Sequence, residues 1–76
     1  MFWQKPVLSS KEFGAAIRTA RKAQGLRQDQ LAGATGVGTR FIVDLEAGKS
    51  TAQLGKALAV VAALGIQISL VDRVTP

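Results

Sequence analysis

The stretch from Leu26 to Lys49 constrains the fold of this chain more than any other segment. It contains two short helical patterns, the first around Leu31 and the second around Ile42. The two patterns are joined by a tight turn at Gly36, a residue that supplies the positive φ that such a turn needs. Because a short turn holds two helices at a fixed angle, the stretch predicts a helix-turn-helix.

Composition excludes several kinds of protein and of chemistry. The chain has 76 residues, enough for one small domain, and 47% of them are apolar, too many for a disordered tail. It contains neither cysteine nor histidine, so we expect no disulfide, no thiolate chemistry and no transition-metal site. The five acidic residues form no recognisable catalytic pair. We therefore expect a protein that is not an enzyme and that uses no cofactor.

Positive charge is concentrated in the first two-thirds of the chain. Residues 1–49 hold eight of the ten Lys and Arg residues and four of the five acids, so they carry +4 of the net +5. Such an excess favours a phosphate backbone as partner, although many small proteins are basic for solubility alone. The remaining third is nearly neutral and apolar, which suggests nucleic acid on one side and protein on the other.

No segment has the pattern of a targeting signal or of a membrane span. The start, MFWQKPVLSS, lacks an apolar stretch behind a basic end. The longest apolar run, residues 57–64, is too short to cross a bilayer. We therefore expect a cytoplasmic protein with no membrane partner.

Capping signals and apolar periodicity predict four helices. The first begins after Ser9, which forms a capping box with Glu12, and ends at Gly25. The second covers about residues 28–35, and the third runs from Gly38 or Thr39 to near Gly48. The fourth opens with a second capping box at residues 50–53 and ends at Gly65. Apolar spacing places the following residues on the inner helix faces: Phe13, Ala16, Ile17, Ala20, Leu31, Ala32, Val37, Ile42, Leu45, Leu54, Ala57, Leu58, Val61 and Leu64.

Residues 66–70 alternate between apolar and polar side chains, the pattern of a half-buried strand. A lone strand leaves its backbone groups unpaired, so it needs a partner. The partner is either the extended segment Phe2–Leu8 or a second copy of the strand in a two-fold dimer. We divide the chain into an N-terminal arm (1–8), a helix-turn-helix domain (9–65) and a dimerisation strand with its tail (66–76). The expected dimer interface consists of Leu58, Val61, Ile66, Ile68 and Leu70.

The predicted third helix presents four residues to the base edges of DNA, because the start of this helix enters the major groove in a helix-turn-helix. Arg40 can form a bidentate pair with guanine; its other interpretations are a phosphate contact and a free surface charge. Thr39 can bond a base or a phosphate, and Val43 can touch a thymine methyl or pack on the next loop. Asp44 can accept from cytosine or, as we favour, hold Arg40 in place one turn away.

Four further residues are expected to contact the phosphate backbone. Gln28 lies in the first turn of helix 2, where free N–H groups favour an anion; it can bond that phosphate or clamp the start of helix 3. Lys49 follows helix 3, and Gly38 precedes it. Phe41 can pack on helix 2 or lie against a sugar and a thymine methyl.

Arg21 and Glu46 are interpreted as structural residues. One lies near the end of helix 1 and the other near the end of helix 3, and each is flanked by apolar residues. An ion pair between them would tie the recognition helix to the scaffold.

The pattern R-x-x-x-G-L-x-Q-x-x-L-A-x-x-x-G-V at residues 21–37, followed by I-x-x-L-E-x-G-K at residues 42–49, resembles the Xre/Cro-type repressors. The resemblance implies a mainly α, lambda-repressor-like bundle that acts on DNA, mostly as a dimer. Arg27 departs from the family pattern, which usually has a small polar helix cap there; it weakens the start of helix 2 or adds a phosphate contact. The resemblance implies DNA contacts from Gln28, Thr39, Arg40 and Asp44 and an internal salt bridge between Arg21 and Glu46.

Residues 48–66 read G-x-x-x-x-x-L-G-K-x-L-x-V-x-x-x-L-G-I and, with the strand, look like the HipB-like antitoxins. In that group the C-terminal strand pairs across the dimer. The dimer binds inverted repeats in its own promoter and neutralises a HipA-type serine/threonine kinase toxin. The resemblance thus implies an inverted-repeat operator, a second copy and such a kinase as partners, on the nucleoid of a bacterium. Little sequence follows the strand, so we expect contact with the kinase to use a surface other than a long C-terminal tail.

Two other functions are compatible with these residues. A stand-alone Xre-family regulator would share the fold and the DNA contacts and would have no toxin partner. A protein-interaction module without DNA binding would have a near-neutral outer face on helix 3. Arg40, Gln28 and Lys49 argue against that module.

Overall fold

The computed structural model describes residues 6–70, in which four α-helices follow one another. These are α1 (Ser10–Ala23), α2 (Gln28–Thr35), α3 (Thr39–Glu46) and α4 (Leu54–Ala63). Helix α3 packs against both α1 and α2, and α4 packs against α2. This arrangement confirms the predicted helix-turn-helix bundle. Phe2 and Trp3 of the arm and residues 71–76 of the tail lie outside the described residues.

The centre of the core receives one fully buried aliphatic side chain from each helix: Ile17, Leu31, Ile42 and Val60, all 0% exposed. A second layer of buried apolar residues surrounds them, consisting of Ala32, Leu45, Ala57, Val61 and Leu64. Burying one such large aliphatic side chain contributes about 1.5–3 kcal/mol. Because all four helices share this core, it fixes the orientation of α3 relative to the rest of the domain.

Two glycines shape the backbone next to α3, one in the turn before the helix and one on α1 beside its end. Gly36 has φ 73°, and its N–H and that of Val37 both donate to the carbonyl of Ala32, which closes α2 and starts the turn. Gly14 on α1 lies directly against the backbone carbonyls of Leu45 and Glu46, and a Cβ atom there would overlap them. The end of α3 therefore rests on the backbone of α1.

The inner faces of α1 and α4 differ from the prediction at four residues. Ala16 is exposed because the inner face of α1 is centred on Gly14, Ile17 and Arg21. In α4 the prediction is wrong for Leu54 and Leu58, which are exposed, and it missed Val60, which is fully buried. Helix α4 is apolar on most sides, so periodicity alone does not fix its rotation, and packing against α2 selects the face.

The two predicted capping boxes have different outcomes. At α1 the N–H of Glu12 donates to Ser9 Oγ at 3.1 Å, and the Glu12 carboxylate accepts from the N–H of Leu8 at 2.8 Å. The capping box at residues 50–53 is wrong, because α4 begins only at Leu54 and its N-cap Gln53 makes no side-chain cap bond. Residues 50 and 51 instead form a turn that carries the chain away from α3.

Residues 66–70 have no regular secondary structure in the single chain. Residues 6–8 are also without a strand, so the described part of the arm is not its partner. Strand pairing across a dimer stays a prediction, as does the division of the chain at residues 8 and 65. Of the predicted interface residues, Leu58, Ile68 and Leu70 are exposed and Ile66 is half-buried. Val61 was wrongly placed there, because it packs in the chain's own core at 5% exposure.

Candidate nucleic-acid interface

The outer face of α3 is open to solvent along its length. Thr39, Arg40 and Val43 are exposed, whereas Ile42 and Leu45 on the opposite side belong to the core. The helix begins directly after the turn at residues 36–38, so its first residues project from the end of the motif. All four residues predicted to meet bases, including the partly exposed Asp44, are brought together on this face. A convex, exposed helix of this kind has the shape that a major groove admits.

Asp44 is the centre of a three-residue charge cluster on this face. Its Oδ1 atom accepts from Arg40 Nε at 3.2 Å, and its Oδ2 atom lies 3.5 Å from Lys49 Nζ. The Arg40 side chain remains 86% exposed, while that of Asp44 is only 26% exposed. Because only Nε is engaged, the two terminal nitrogens of the guanidinium remain available for two acceptors. We name Arg40, Asp44 and Lys49 the α3 charge cluster.

The sequence indicated only half of this cluster. The pairing of Arg40 with Asp44 was predicted from the i, i+4 spacing. The link from Asp44 to Lys49 was missed because it crosses the end of α3, where the chain turns at Gly48 with φ 88°. The N–H of Lys49 also donates to the carbonyl of Asp44 at 3.0 Å, so backbone and side chain bring the two residues together.

Behind this face, Arg21 on α1 and Glu46 at the end of α3 form a bidentate ion pair. The bonds are Nε to Oε2 at 2.6 Å and Nη2 to Oε1 at 3.0 Å, and the side chains are 9% and 4% exposed. Arg21 Nη1 also donates to the carbonyl of Leu26 at 2.7 Å. The hydrogen bond to Glu46 raises the pKa of Arg21 above its ordinary value, more than burial lowers it. The structure thus places here the pair that the sequence suggested.

Gln28, the first residue of α2, joins this buried pair. Its Nε2 atom donates to Glu46 Oε1 at 3.2 Å, and the residue is half-buried. The expectation that Gln28 clamps the start of α3 is therefore wrong: it contacts the last residue of α3, because the start of α2 lies beside the end of α3. Its contact with a phosphate stays a prediction.

Arg27 occupies the N-cap of α2, where it provides only half of a capping box. Its N–H donates to Gln30 Oε1 at 2.8 Å, but an arginine side chain has no acceptor with which to bond the helix in return. The exposed guanidinium instead pairs with Asp29, with Nε 3.1 Å from Oδ1. This hydrogen bond, with the charge of Arg27, lowers the pKa of Asp29 below its ordinary value. The predicted phosphate contact of Arg27 remains untested.

Phe41 and Gly38 complete the predicted set. Phe41 is half-buried against the core, and Lys56 Nζ lies 5.8 Å from the centre of its ring, within the range of a cation–π contact. Of the two interpretations, the described contacts show packing against the core; a contact with DNA stays a prediction. Gly38 is the exposed N-cap of α3, and its carbonyl accepts from the N–H of Phe41 at 3.0 Å.

Within residues 6–70, no group of acidic side chains is arranged to hold a metal ion. No helix among the same residues is long and apolar enough to cross a membrane.

The sequence of this chain is similar to a known family and to a known relative. The helix-turn-helix family matches residues 17–71. An uncharacterized HTH-type transcriptional regulator, y4mF of Sinorhizobium fredii (strain NBRC 101917 / NGR234), is 56% identical over 66 residues, which are 87% of each protein.

Among solved structures, a chain of a HipA-HipB-O2-O3 complex superimposes with a TM-score of 0.85 at 20% identity, over 92% of this chain and 99% of that one. A HipB-O4 20mer complex superimposes with a TM-score of 0.84 at the same identity, again over 92% and 99%. At this identity the likeness shows the fold, a HipB-like bundle. Because the family match covers more than half of the chain and the relative is so similar, this chain belongs to the Xre-type helix-turn-helix family of DNA-binding transcriptional regulators.

Proposed function

We propose that this chain is a repressor that binds an inverted-repeat operator as a homodimer, and that it also neutralises a HipA-type kinase as an antitoxin. The single observation that carries the DNA-binding part is the exposed outer face of α3, with the α3 charge cluster upon it. A regulator of this kind would act in the cytoplasm, where a bacterial promoter lies.

In the proposed complex α3 lies in the major groove. Arg40 directs its two terminal nitrogens to guanine O6 and N7 while Asp44 holds its Nε atom. Lys49, Gln28, Arg27 and the backbone at Gly38 lie at the edges of the helix, where phosphates flank the groove. Phe41, half-buried in the first turn of α3 with Lys56 over its ring, contacts the sugar-phosphate chain in this complex.

The homodimer rests on apolar residues that the single chain leaves uncovered. Leu58 is 44% exposed, Ile68 45% and Leu70 96%. Pairing residues 66–70 with their own copy would satisfy the backbone groups of this segment and cover part of this surface. A two-fold dimer also matches the symmetry of an inverted repeat.

The antitoxin part rests on the likeness to HipB, which is present together with HipA in one of the matched structures. The second candidate is a stand-alone regulator, and the name of the matched relative y4mF, an HTH-type transcriptional regulator, agrees with the regulatory part that both candidates share. Both functions use the same DNA interface. They differ only in whether a kinase binds the dimer.

Selection from a random duplex library tests the DNA-binding part. We expect the protein to enrich an inverted repeat. We also expect its affinity for that repeat to fall by about 10³–10⁵ between 50 and 200 mM salt, which corresponds to about six to ten phosphate contacts per dimer. Enrichment of no sequence, or an affinity independent of salt, would contradict a groove-binding repressor.

Recovery of the tagged protein from its native cells tests the antitoxin part. A HipA-type kinase present in near-stoichiometric amount, identified by mass spectrometry, would support an antitoxin. The kinase should then arrest growth when expressed alone and cease to do so when co-expressed with this chain. The variant Arg40→Ala is the control, since it should be impaired in DNA specificity and still neutralise the kinase. Recovery of promoter DNA without a kinase would favour the stand-alone regulator.

A further inference from the structure

We infer that the outer row of α1, formed by Lys11, Arg18 and Lys22, is a second DNA-binding surface that contacts phosphates flanking the half-site read by α3. This inference rests on the proposed function. We name these three residues the α1 basic row. All three are exposed, and none of the ion pairs between residues 6–70 includes any of them.

The three cations share one face of α1, since they are spaced i, i+7 and i+11. The residue between them on this face is Ala15, which is small and exposed and so leaves the row open. Lys11 and Lys22 are eleven positions apart, which corresponds to about 16 Å at ~1.5 Å per residue. Successive phosphates of one strand rise by ~3.4 Å along the duplex axis, so a row of this length can meet several of them.

The row borders the line along which α1 and α3 touch, which we call the seam. Gly14, which touches the backbone of Leu45 and Glu46, has Lys11 three residues before it and Arg18 four residues after it. Residues at these spacings are neighbours on a helix surface. The opposite flank of the seam, at Phe13 and Ala20, faces the core. The basic row therefore lies on the solvent side of the seam.

The row is also continuous with the α3 charge cluster. The Cα of Lys11 lies so close to Gly48 that a Cβ atom on that glycine would be 2.7 Å away. Ser10 Oγ donates to the carbonyl of Gly48 at 2.9 Å, which fixes the start of α1 to the segment that carries Lys49. Lys49 and Lys11 thus begin one cationic track that leads away from α3 along α1. Lys49 is paired with Asp44, but the α1 basic row makes no ion pair within residues 6–70, so its charge is complementary to a phosphate backbone.

The test uses the triple variant Lys11→Gln, Arg18→Gln, Lys22→Gln and two duplexes that carry the selected inverted repeat. The short duplex ends at the outer base pairs of the repeat, and the long duplex continues for about one helical turn, ~10 base pairs, on each side. We expect the variant to bind the long duplex at least tenfold more weakly than the wild type. Its salt slope on the long duplex should fall by up to ~0.9 for each phosphate that it no longer neutralises, and its affinity for the short duplex should not change.

A charge-relocation variant separates position from net charge. It adds Ala16→Lys, Thr19→Lys and Ala23→Lys to the triple variant, which restores the net charge on an exposed, different face of α1. We expect this variant to remain weak on the long duplex. All substituted residues are exposed, and glutamine and lysine favour helices, so thermal melting should show folded proteins.

Several outcomes would overturn the inference. One is an equal reduction in the affinity of the triple variant for both duplexes. Another is recovery of affinity for the long duplex in the charge-relocation variant. The third is unchanged binding of both duplexes by the triple variant. If the triple variant bound both duplexes normally but no longer bound the recovered kinase, the row would be a protein-binding surface instead. A wild-type protein that binds neither duplex would refute the proposed function itself, and that result is distinct because it appears before any substitution is made.

Discussion

Arg21 on α1 holds Glu46, the last residue of α3, through a bidentate ion pair with Nε 2.6 Å from Oε2, and this pair connects the scaffold to the helix that carries the proposed DNA-reading face. Gln28 adds a bond to the same carboxylate, so all three helices of the motif region meet at Glu46. The orientation of α3 therefore depends on one buried acidic residue as well as on apolar packing.

Arg21→Met should destabilise the domain by about 3–5 kcal/mol, because it leaves Glu46 charged and buried without its partner. For a domain of this size this is a large share of a total stability of about 4–11 kcal/mol. Urea denaturation measures the change. The matched control Arg27→Met removes an exposed pair and should leave the urea midpoint almost unchanged. The double variant Arg21→Met, Glu46→Leu should regain most of the stability, and no recovery would contradict the stranded-charge explanation.

Gly14→Ala should destabilise the domain by about 1–3 kcal/mol, because the added methyl overlaps backbone carbonyls at the end of α3 and forces the helices apart. Gly33→Ala is the matched control, since Gly33 is an exposed residue within α2 with open space around its Cβ position. That substitution should stabilise the domain by about 0.5–1 kcal/mol. Thermal melts of both variants measure the difference, and similar melting temperatures would show that α1 and α3 do not approach so closely.

Arg40→Ala should relax the preference at one base pair in each half-site, at a cost of about 1–3 kcal/mol for the preferred base. Repeating the library selection with the variant measures this. Lys49→Ala is the control, because removing a phosphate contact should weaken binding to all sequences and leave the consensus unchanged. An unchanged consensus with Arg40→Ala would show that Arg40 contacts no base.

Asp44→Asn should lower specificity while raising affinity for unrelated DNA. The substitution removes the carboxylate that engages both Arg40 and Lys49, so both cations become free to contact any phosphate. Titrations of the selected repeat and of an unrelated duplex at one salt concentration give the ratio of the two affinities. We expect that ratio to decrease. A ratio that stays constant would indicate that Asp44 does not orient Arg40 in the complex.

Ile68→Lys and Leu70→Lys should each shift the protein toward the monomer, because each places a charge within the predicted dimer seam. Sedimentation velocity measures the oligomeric state, and truncation after Gly65 should have the same effect. Leu54→Lys is the control, since Leu54 is 70% exposed and lies outside the predicted interface. If Ile68→Lys, Leu70→Lys and the truncation all left the dimer intact, the dimer would have to form through another surface.

Much of the fold could be predicted from local patterns. The bounds of α2 followed from the apolar spacing and from Gly36, and the start of α1 followed from Ser9 and Glu12. The relation between Arg40 and Asp44 followed from their i, i+4 spacing. In each case the residues interact within one or two helical turns, so their positions in the chain determine their positions in space.

Other features were decided only by the tertiary structure. Helix α4 is apolar on most sides, so its own sequence allows several rotations, and packing against α2 buried Val60 and left Leu54 and Leu58 exposed. The bond from Gln28 to the end of α3 and the contact of Gly14 with α3 join residues that are far apart in the chain. The sequence by itself determined which helices form and most of their ends, because caps and periodicity act locally, but it placed the start of α4 too early. Their rotation and mutual approach depended on which side chains the assembled core had room to bury.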